Sequence, residues 1–286
     1  MAQLFVEAAD QMQMTRNIGS GFRDADGALC GKLVRCLDFM NELPFFKAYK
    51  SHSWRSLELE PGQVIVDVAC GTGFDLIQLA RQYPAGHFIG VDKSENFIAV
   101  AKERAGSTPN IQFFPGVAEQ LPLGDRSVDG ARIDRSLQHV ESPAAVLREM
   151  LRVTRIGGRI VACEPDWETF ILFNGEFDDS RKIAHFFQHS IRNRFIGREL
   201  ASLMNQCGIE NLRTHVHAFC TSALEEADVI FDLRRVADQC RDADLIAPAD
   251  VENWLALSEQ ASHKGIFFAA LNIVETSGLR GSNKPV

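Results

Sequence analysis

The sequence predicts an α/β fold built on a doubly wound, largely parallel sheet. Three observations point there. Short β-branched runs recur along the middle of the chain, stretches of helical periodicity separate them, and a glycine-containing turn closes the first run. Such alternation makes parallel βαβ units, because joining two parallel strands takes a crossover long enough to hold a helix.

Residues 1–60 read as a helical N-terminal cap, with Leu33, Val34, Leu37, Phe39 and Met40 spaced for one face. Pro61-Gly62 turns the chain into Val64-Ile65-Val66-Asp67-Val68, a buried parallel strand. Cys70-Gly71-Thr72-Gly73 follows, then a helix over 75–81. Strands are expected at 88–92, 111–114 and 128–133, with helices over 94–105 and 143–154. Gly157-Gly158 reads as a turn before a fifth strand at 159–163. Beyond Glu164 the alternation breaks: 166–206 is Phe-rich and mostly helical, and 209–220 reads as a sixth strand. Helices over about 223–243 and 249–263 precede a last strand at 265–274. The main domain is thus expected over 61–286, with lid insertions at about 166–206 and 222–264.

The 286 residues, 45% hydrophobic and 24% charged, suffice for one large core with a cap and argue against wholesale disorder. A net charge of -8 argues against nucleic acid as a partner. Seven cysteines without CxxC spacing fit buried thiols in a reducing cytoplasm better than disulfides or zinc. With no secretory signal and no long apolar run, no membrane association is expected. The partner is a small-molecule substrate, and a homo-oligomer is left open.

The segment from Val64 to Gly73 is the most informative. Glycines at the carboxyl end of a first strand let backbone pass close to a ligand, and the next helix offers free N–H groups. A dinucleotide loop would want a third glycine where Leu76 stands, and the acid Asp67 would repel a pyrophosphate. S-adenosylmethionine carries an α-amino group and a sulfonium and no phosphate, so it would welcome that carboxylate. Asp92, ending the second strand, suits a ribose diol.

These residues resemble the first two motifs of the class I S-adenosylmethionine-dependent methyltransferases: Asp67-Val68-Ala69-Cys70-Gly71-Thr72-Gly73 the first, Gly90-Val91-Asp92 the second. Glu119-Gln120-Leu121-Pro122-Leu123 through Asp129, Leu137-Gln138-His139-Val140, and Leu147 through Gly158 are similar to that family's later segments. The likeness is strong over about 60–165 and is greatest to the small-molecule branch of quinone-biosynthesis and natural-product tailoring enzymes. It implies a Rossmann-like seven-stranded sheet whose last strand is antiparallel, and methylation at O, N or C of a small, largely apolar metabolite. It implies cofactor contacts at Asp67, Ala69, Gly71, Gly73, Asp92, Lys93, Ala118 and Glu119. Where many relatives place an acid for the adenine amino group, this chain has Val117, which leaves the backbone near Ala118 and Glu119, or another side chain, to read adenine.

Methyl transfer requires alignment and exclusion of water above all, and a base only where the acceptor carries a proton. His139, after the fourth strand, is the leading base, against a reading as a helix-start histidine bonded to backbone. Glu164 and Asp166, past the fifth strand, are further candidates to hold a substrate hydroxyl or amine, against capping and packing. Arg135 faces either the cofactor carboxylate or a surface partner. Gln138, Trp167, Phe170, Phe186 and Arg194 are the substrate candidates; the aromatics would wall an apolar pocket, and Arg194, with its basic neighbours, would receive an acidic group. No metal site is expected, since His185 and His189 share a helix face without a third ligand, and His215 and His217 form no pattern. Alternatives are a cofactor-binding protein of the same fold repurposed for cyclisation or pericyclic chemistry, an NAD-dependent dehydrogenase, and a regulatory subunit.

Overall fold

The computed structural model describes residues 21–282. The part of the expected N-terminal cap that lies in 1–20, and the last residues of the main domain, 283–286, fall outside the described residues. Seven strands form one sheet in the order β3-β2-β1-β4-β5-β7-β6. They are β1 (Val64–Val68), β2 (His87–Asp92), β3 (Ile111–Pro115), β4 (Val128–Asp134), β5 (Thr154–Phe173), β6 (Ile209–Thr221) and β7 (Phe268–Arg280). β1 to β5 are parallel where they pair, and β7 runs antiparallel to both β5 and β6. This is the Rossmann-like arrangement with a reversed last strand that the sequence predicts.

Helices cover both faces. α1 (Cys30–Glu42) and α2 (Pro44–Arg55) are divided where Pro44 opens the second helix. They share one face with α3 (Phe74–Gln82), α4 (Glu95–Ala105), α6 (Asp178–Ser190), α8 (Leu224–Phe231), α9 (Leu233–Asp242) and α10 (Pro248–His263). α5 (Pro143–Val153) and α7 (Ile196–Gln206) cover the other, burying Leu147, Met150, Leu200 and Met204 against Val66, Ile133 and Ile160. Local signals set several starts. The Ser94 hydroxyl accepts the Phe97 amide at 3.0 Å, and Ser142 accepts the Ala145 amide at 3.2 Å ahead of Pro143.

The last strand, expected at 265–274, runs from Phe268 to Arg280, and three other boundaries are misplaced, each for a physical reason. Gly157-Gly158 is a bulge inside β5: Val128 pairs with Thr154 and Gly130 already with Arg159. β5 continues to Phe173, so residues 166–173 are strand where a helical lid is expected; aromatic side chains suit a pleated, half-buried surface. A second bulge falls between Asp166 and Ile171, the stretch that holds Trp167 and Phe170. The expected helix over 223–243 breaks at Asp232, whose backbone is left-handed at φ 55° and whose carboxylate receives Lys32 of α1 at 2.7 Å.

Gly73 shows why the first turn needs glycine. Its φ is 75°, and a Cβ there would lie 2.7 Å from the Phe113 ring and 2.8 Å from the Ala101 methyl. Gly73→Ala is expected to destabilise the fold by about 2–4 kcal/mol, adding the left-handed penalty to overpacking. A urea midpoint equal to that of the wild type would contradict this.

Candidate active site

The carboxyl ends of β1, β2 and β4 open into a cleft of about 430 Å³. One wall is the loop after β1, with Ala69 and Gly71 both left-handed at φ 55°. A Cβ on Gly71 would meet only Leu37, at 3.7 Å, so this backbone faces open space. Asp92 fixes that loop: one carboxylate oxygen accepts the Gly71 amide at 2.8 Å, the other the Ser94 amide at 2.9 Å. Burial raises the Asp92 carboxyl above its ordinary value, and these two amides oppose the rise. Each oxygen keeps lone pairs for a further donor, which is what a ribose diol offers. Gly116, Val117, Ala118 and Glu119 line the cleft too, as does Lys93, whose ammonium donates to the Arg23 carbonyl at 2.7 Å.

The floor is charged. Arg132, in the middle of β4, reaches Asp67 at 3.1 Å, Asp75 at 3.0 Å and Asp134 at 3.3 Å. Lys50 of α2 reaches Asp75 and Asn41, both at 2.7 Å. Burial lifts the Asp67 carboxyl to about 7 against the pull of Arg132. For Asp75 burial acts in the same direction, but Lys50 and Arg132 override it and hold the group below its usual range. A zwitterionic amino-acid moiety fits such a floor, since cations and carboxylates both border it. S-adenosylmethionine has that moiety at one end, adenine at the other, and between them a ribose for Asp92.

A second compartment of about 60 Å³ adjoins the cleft and is almost wholly apolar. Trp167, Phe187, Phe231, Phe219 and Phe46 form most of its aromatic lining, and Ile230 lines it as well. Phe22, Arg135, Gln138 and His139 border both spaces and so form the seam between them. His139 stacks on Phe22 with ring centres 5.5 Å apart. Burial, helped by Arg23, Lys93, Arg135 and Arg192, pushes its imidazole down to about 3. Arg135 lies over the Phe46 ring at 5.2 Å, and its buried Nε lacks a hydrogen-bond partner.

Several expected site residues are placed differently from the sequence reading. Glu164 is fully buried and lines neither space; its carboxylate accepts the amides of Ser136, Leu137 and Gln138 at 2.8, 2.6 and 3.3 Å. Asp166 also lies outside, held by Arg198 at 2.9 Å. Both carboxylates are thus engaged within the protein and border neither space. Gln138 is on the seam, but its amide is already engaged, donating to the Arg135 carbonyl at 2.8 Å and accepting the Trp167 indole N–H at 2.6 Å. Trp167 walls the apolar compartment, whereas Phe170 packs behind it in the core. Phe186 is likewise a core residue; the phase of α6 brings Phe187 to the compartment instead. Arg194 pairs with Glu168 at 3.2 Å and stacks on Phe195, while Arg192 is the neighbour that reaches the cleft. Gly73 shapes the turn without lining the cleft. His139 is perturbed far from the ordinary value that made it attractive as a base, because it is buried and, secondarily, because cations surround it. Asp67, Ala69, Gly71, Asp92, Lys93, Ala118, Glu119 and Arg135 all border the cleft.

The sequence reading misses Lys50, Asn41, Asp75, Arg132 and Asp134, all of which line the same cleft. A charged residue inside a predicted buried strand, Arg132, was the available signal, with Asp134 directly after that strand.

The sequence profile of the methyltransferase domain family matches residues 59–202. A protein of a Streptomyces fradiae transposon is 33% identical over 242 residues, covering 84% of this chain and 69% of that one. A demethylmenaquinone methyltransferase of Bacillus cytotoxicus is 31% identical over 209 residues, covering 65% and 88%. A solved phosphoethanolamine N-methyltransferase of Haemonchus contortus, in complex with S-adenosylhomocysteine, shares the fold with a TM-score of 0.58 at 12% identity, covering 94% and 61%.

Asp92→Ala removes the acceptor that orders the Gly71 turn and borders the cleft. It is expected to weaken S-adenosylmethionine binding by about 1–3 kcal/mol, the scale of losing hydrogen bonds to a charged group. Calorimetry on the folded variant checks this, and unchanged affinity would remove Asp92 from cofactor binding.

Proposed function

Because the chain belongs to the methyltransferase domain family, of the class I type that uses S-adenosylmethionine, we propose that it methylates a small, largely apolar metabolite whose reacting end enters the compartment behind Trp167. The observation that carries this reading is the joining of a charged cleft to an aromatic box across one seam, Phe22, Arg135, Gln138 and His139. The cofactor supplies an activated methyl carbon; everything else falls to the protein. Asp92, Gly71 and the Lys50–Arg132 floor hold the donor from the cleft side. The aromatic box holds the acceptor, excludes water, and presents π-faces that favour a nearby cation.

His139 and Arg135 meet the acceptor at the seam. A histidine held at about 3 is neutral throughout the physiological range, so it serves as a hydrogen-bond acceptor for an acceptor hydroxyl or enol. As the methyl leaves the sulfonium, the hydroxyl proton passes to His139 and on to water, and Arg135, cationic beside it, stabilises the negative charge that builds on the oxygen. This favours acceptors with an ionisable hydroxyl on an apolar frame, a class compatible with relatives named for demethylmenaquinone methylation. We place the reaction in the cytoplasm, a compartment in keeping with seven free cysteines. Among the described residues no helix is long and apolar enough to cross a membrane.

Incubation of the protein with S-adenosylmethionine and a panel of phenols, quinols and aliphatic alcohols, read by mass spectrometry, tests the reading. A product one methylene heavier from an apolar hydroxyl compound supports it, and transfer confined to polar amines or macromolecules overturns it. Ile230→Trp, which fills the box, is expected to lower turnover at least about tenfold with cofactor affinity unchanged. His139→Ala is expected to lower turnover by roughly 10²-fold. Because the wild-type imidazole is already unprotonated well below neutrality, the wild-type profile should show no rising limb near 6.5. A limb there that vanishes in His139→Ala would show an ordinary titrating base instead.

A further inference from the structure

Away from the cleft, three side chains distant in sequence converge beneath α2. Glu275 of β7 is fully buried. Its Oε2 meets His52 Nδ1 at 2.8 Å and His217 Nε2 at 3.0 Å, and its Oε1 accepts the Ser56 hydroxyl at 2.5 Å. Its ion-pair partners among the described residues are these two histidines, with no lysine or arginine. A buried carboxylate is costly unless a cation compensates it, so the site calls for positive charge at the point where the two imidazoles converge.

We propose that His52, His217 and Glu275 bind a divalent transition-metal ion, zinc fitting best, that fastens α2 to the antiparallel edge of the sheet. One ligand atom from each residue lies within 4.8 Å of the other two. A tetrahedral zinc with bonds of about 2.0–2.2 Å spaces its ligands about 3.3–3.5 Å apart. Admitting the ion opens the two carboxylate–imidazole contacts, at 2.8 and 3.0 Å, by roughly half an ångström and brings the two imidazole nitrogens, which lie within 4.8 Å of each other, to the same spacing. Two imidazoles and a carboxylate select zinc and its neighbours over calcium or magnesium, which prefer oxygen alone. The fourth position is left to water: His215 stands opposite Glu275 in the β6–β7 register with its ring centre 4.6 Å from that of His52, but it lies outside the three-residue cluster. The site also touches the catalytic side of the fold. Tyr49, one helical turn from His52, has its ring 5.8 Å from that of His217 and donates to Asp134 at 3.0 Å. Lys50 reaches Asp75 from the same helix. An ion at this point holds in place the helix that supplies the cleft with Lys50.

Chelator-treated full-length protein titrated with zinc or cobalt(II) tests the assignment. The expected result is about one ion per chain, a raised Tm, and slower amide exchange over α2. Cobalt should give a visible spectrum of nitrogen and oxygen ligation without a thiolate charge-transfer band, which separates this site from the free cysteines. His52→Ala, at a half-exposed position, and His217→Ala should each weaken binding at least about tenfold. Glu275→Gln gives a third variant of nearly unchanged shape that should do the same. Metal binding indifferent to both histidine variants, a thiolate band, or a Tm that responds to pH but not to zinc would each overturn the proposal. The last of these would mean that protons on the two histidines compensate Glu275.

Discussion

The guanidinium of Arg132 is the interaction on which the site depends. It is 1% exposed in the centre of β4, and taking such a charge out of water costs several kcal/mol unless partners surround it. Its partners come from three directions: Asp67 from β1, Asp75 from α3 and Ser53 from α2, with Asp134 beside it on β4. The sheet, the helix after the glycine turn and the N-terminal helix pair are therefore joined through one cation. Three carboxylates around one guanidinium leave negative charge over, and Lys50 and Arg135 meet it at Asp75 and Asp134. The cofactor cleft is floored by this network, so the residues that would recognise a zwitterion are the same ones that hold α2 on the sheet.

Glu164 does for the loop after β4 what Arg132 does for the floor. A carboxylate accepting three successive backbone amides forces the chain to turn around it, and Arg135 takes a left-handed φ of 50° at the start of that turn. The turn aims Arg135 and His139 at the seam, and Gln138 then ties the loop to Trp167. Glu164 thus positions residues at the seam without bordering it. Sequence reasoning placed Glu164 just past a strand end; it stands inside β5, where the parallel pairing with β4 stops, and its carboxylate turns back to the backbone.

That difference marks how far the sequence is legible. The parallel core from Val64 to Cys163 can be read because each strand is short, β-branched and flanked by a helix of ordinary length. Asp92 and Gly71 can be read because they combine a chemical type with a topological position, the end of a strand. Phase errors set the limit elsewhere: one residue along α6 exchanges Phe186 for Phe187, and a bulge at 167–170 hides the continuation of β5. Contacts between distant segments were beyond reach. Nothing near Lys50 in sequence announces Asp75, and nothing near His217 announces His52 or Glu275.

The two N-terminal covers of the cleft are held by bonds of different kinds. α2 is fastened by buried charges, Lys50 on Asp75 and Ser53 on Arg132, and by His52 and Ser56 on the buried Glu275. Water cannot replace these partners without entering the core, so losing them leaves uncompensated charge. The segment that carries Phe22 and Arg23 is fastened from outside. Asp26 caps the start of α4, taking the Ser94 hydroxyl and the Glu95 and Asn96 amides, and Lys93 meets the Arg23 carbonyl. These are solvent-facing contacts in which water substitutes at small cost. Phe22 adds its stack on His139 at the seam itself. The walls of the cleft therefore differ by construction: the helix that supplies the charged floor is held by buried charge, and the stretch that brings Phe22 to the seam by contacts that water can replace.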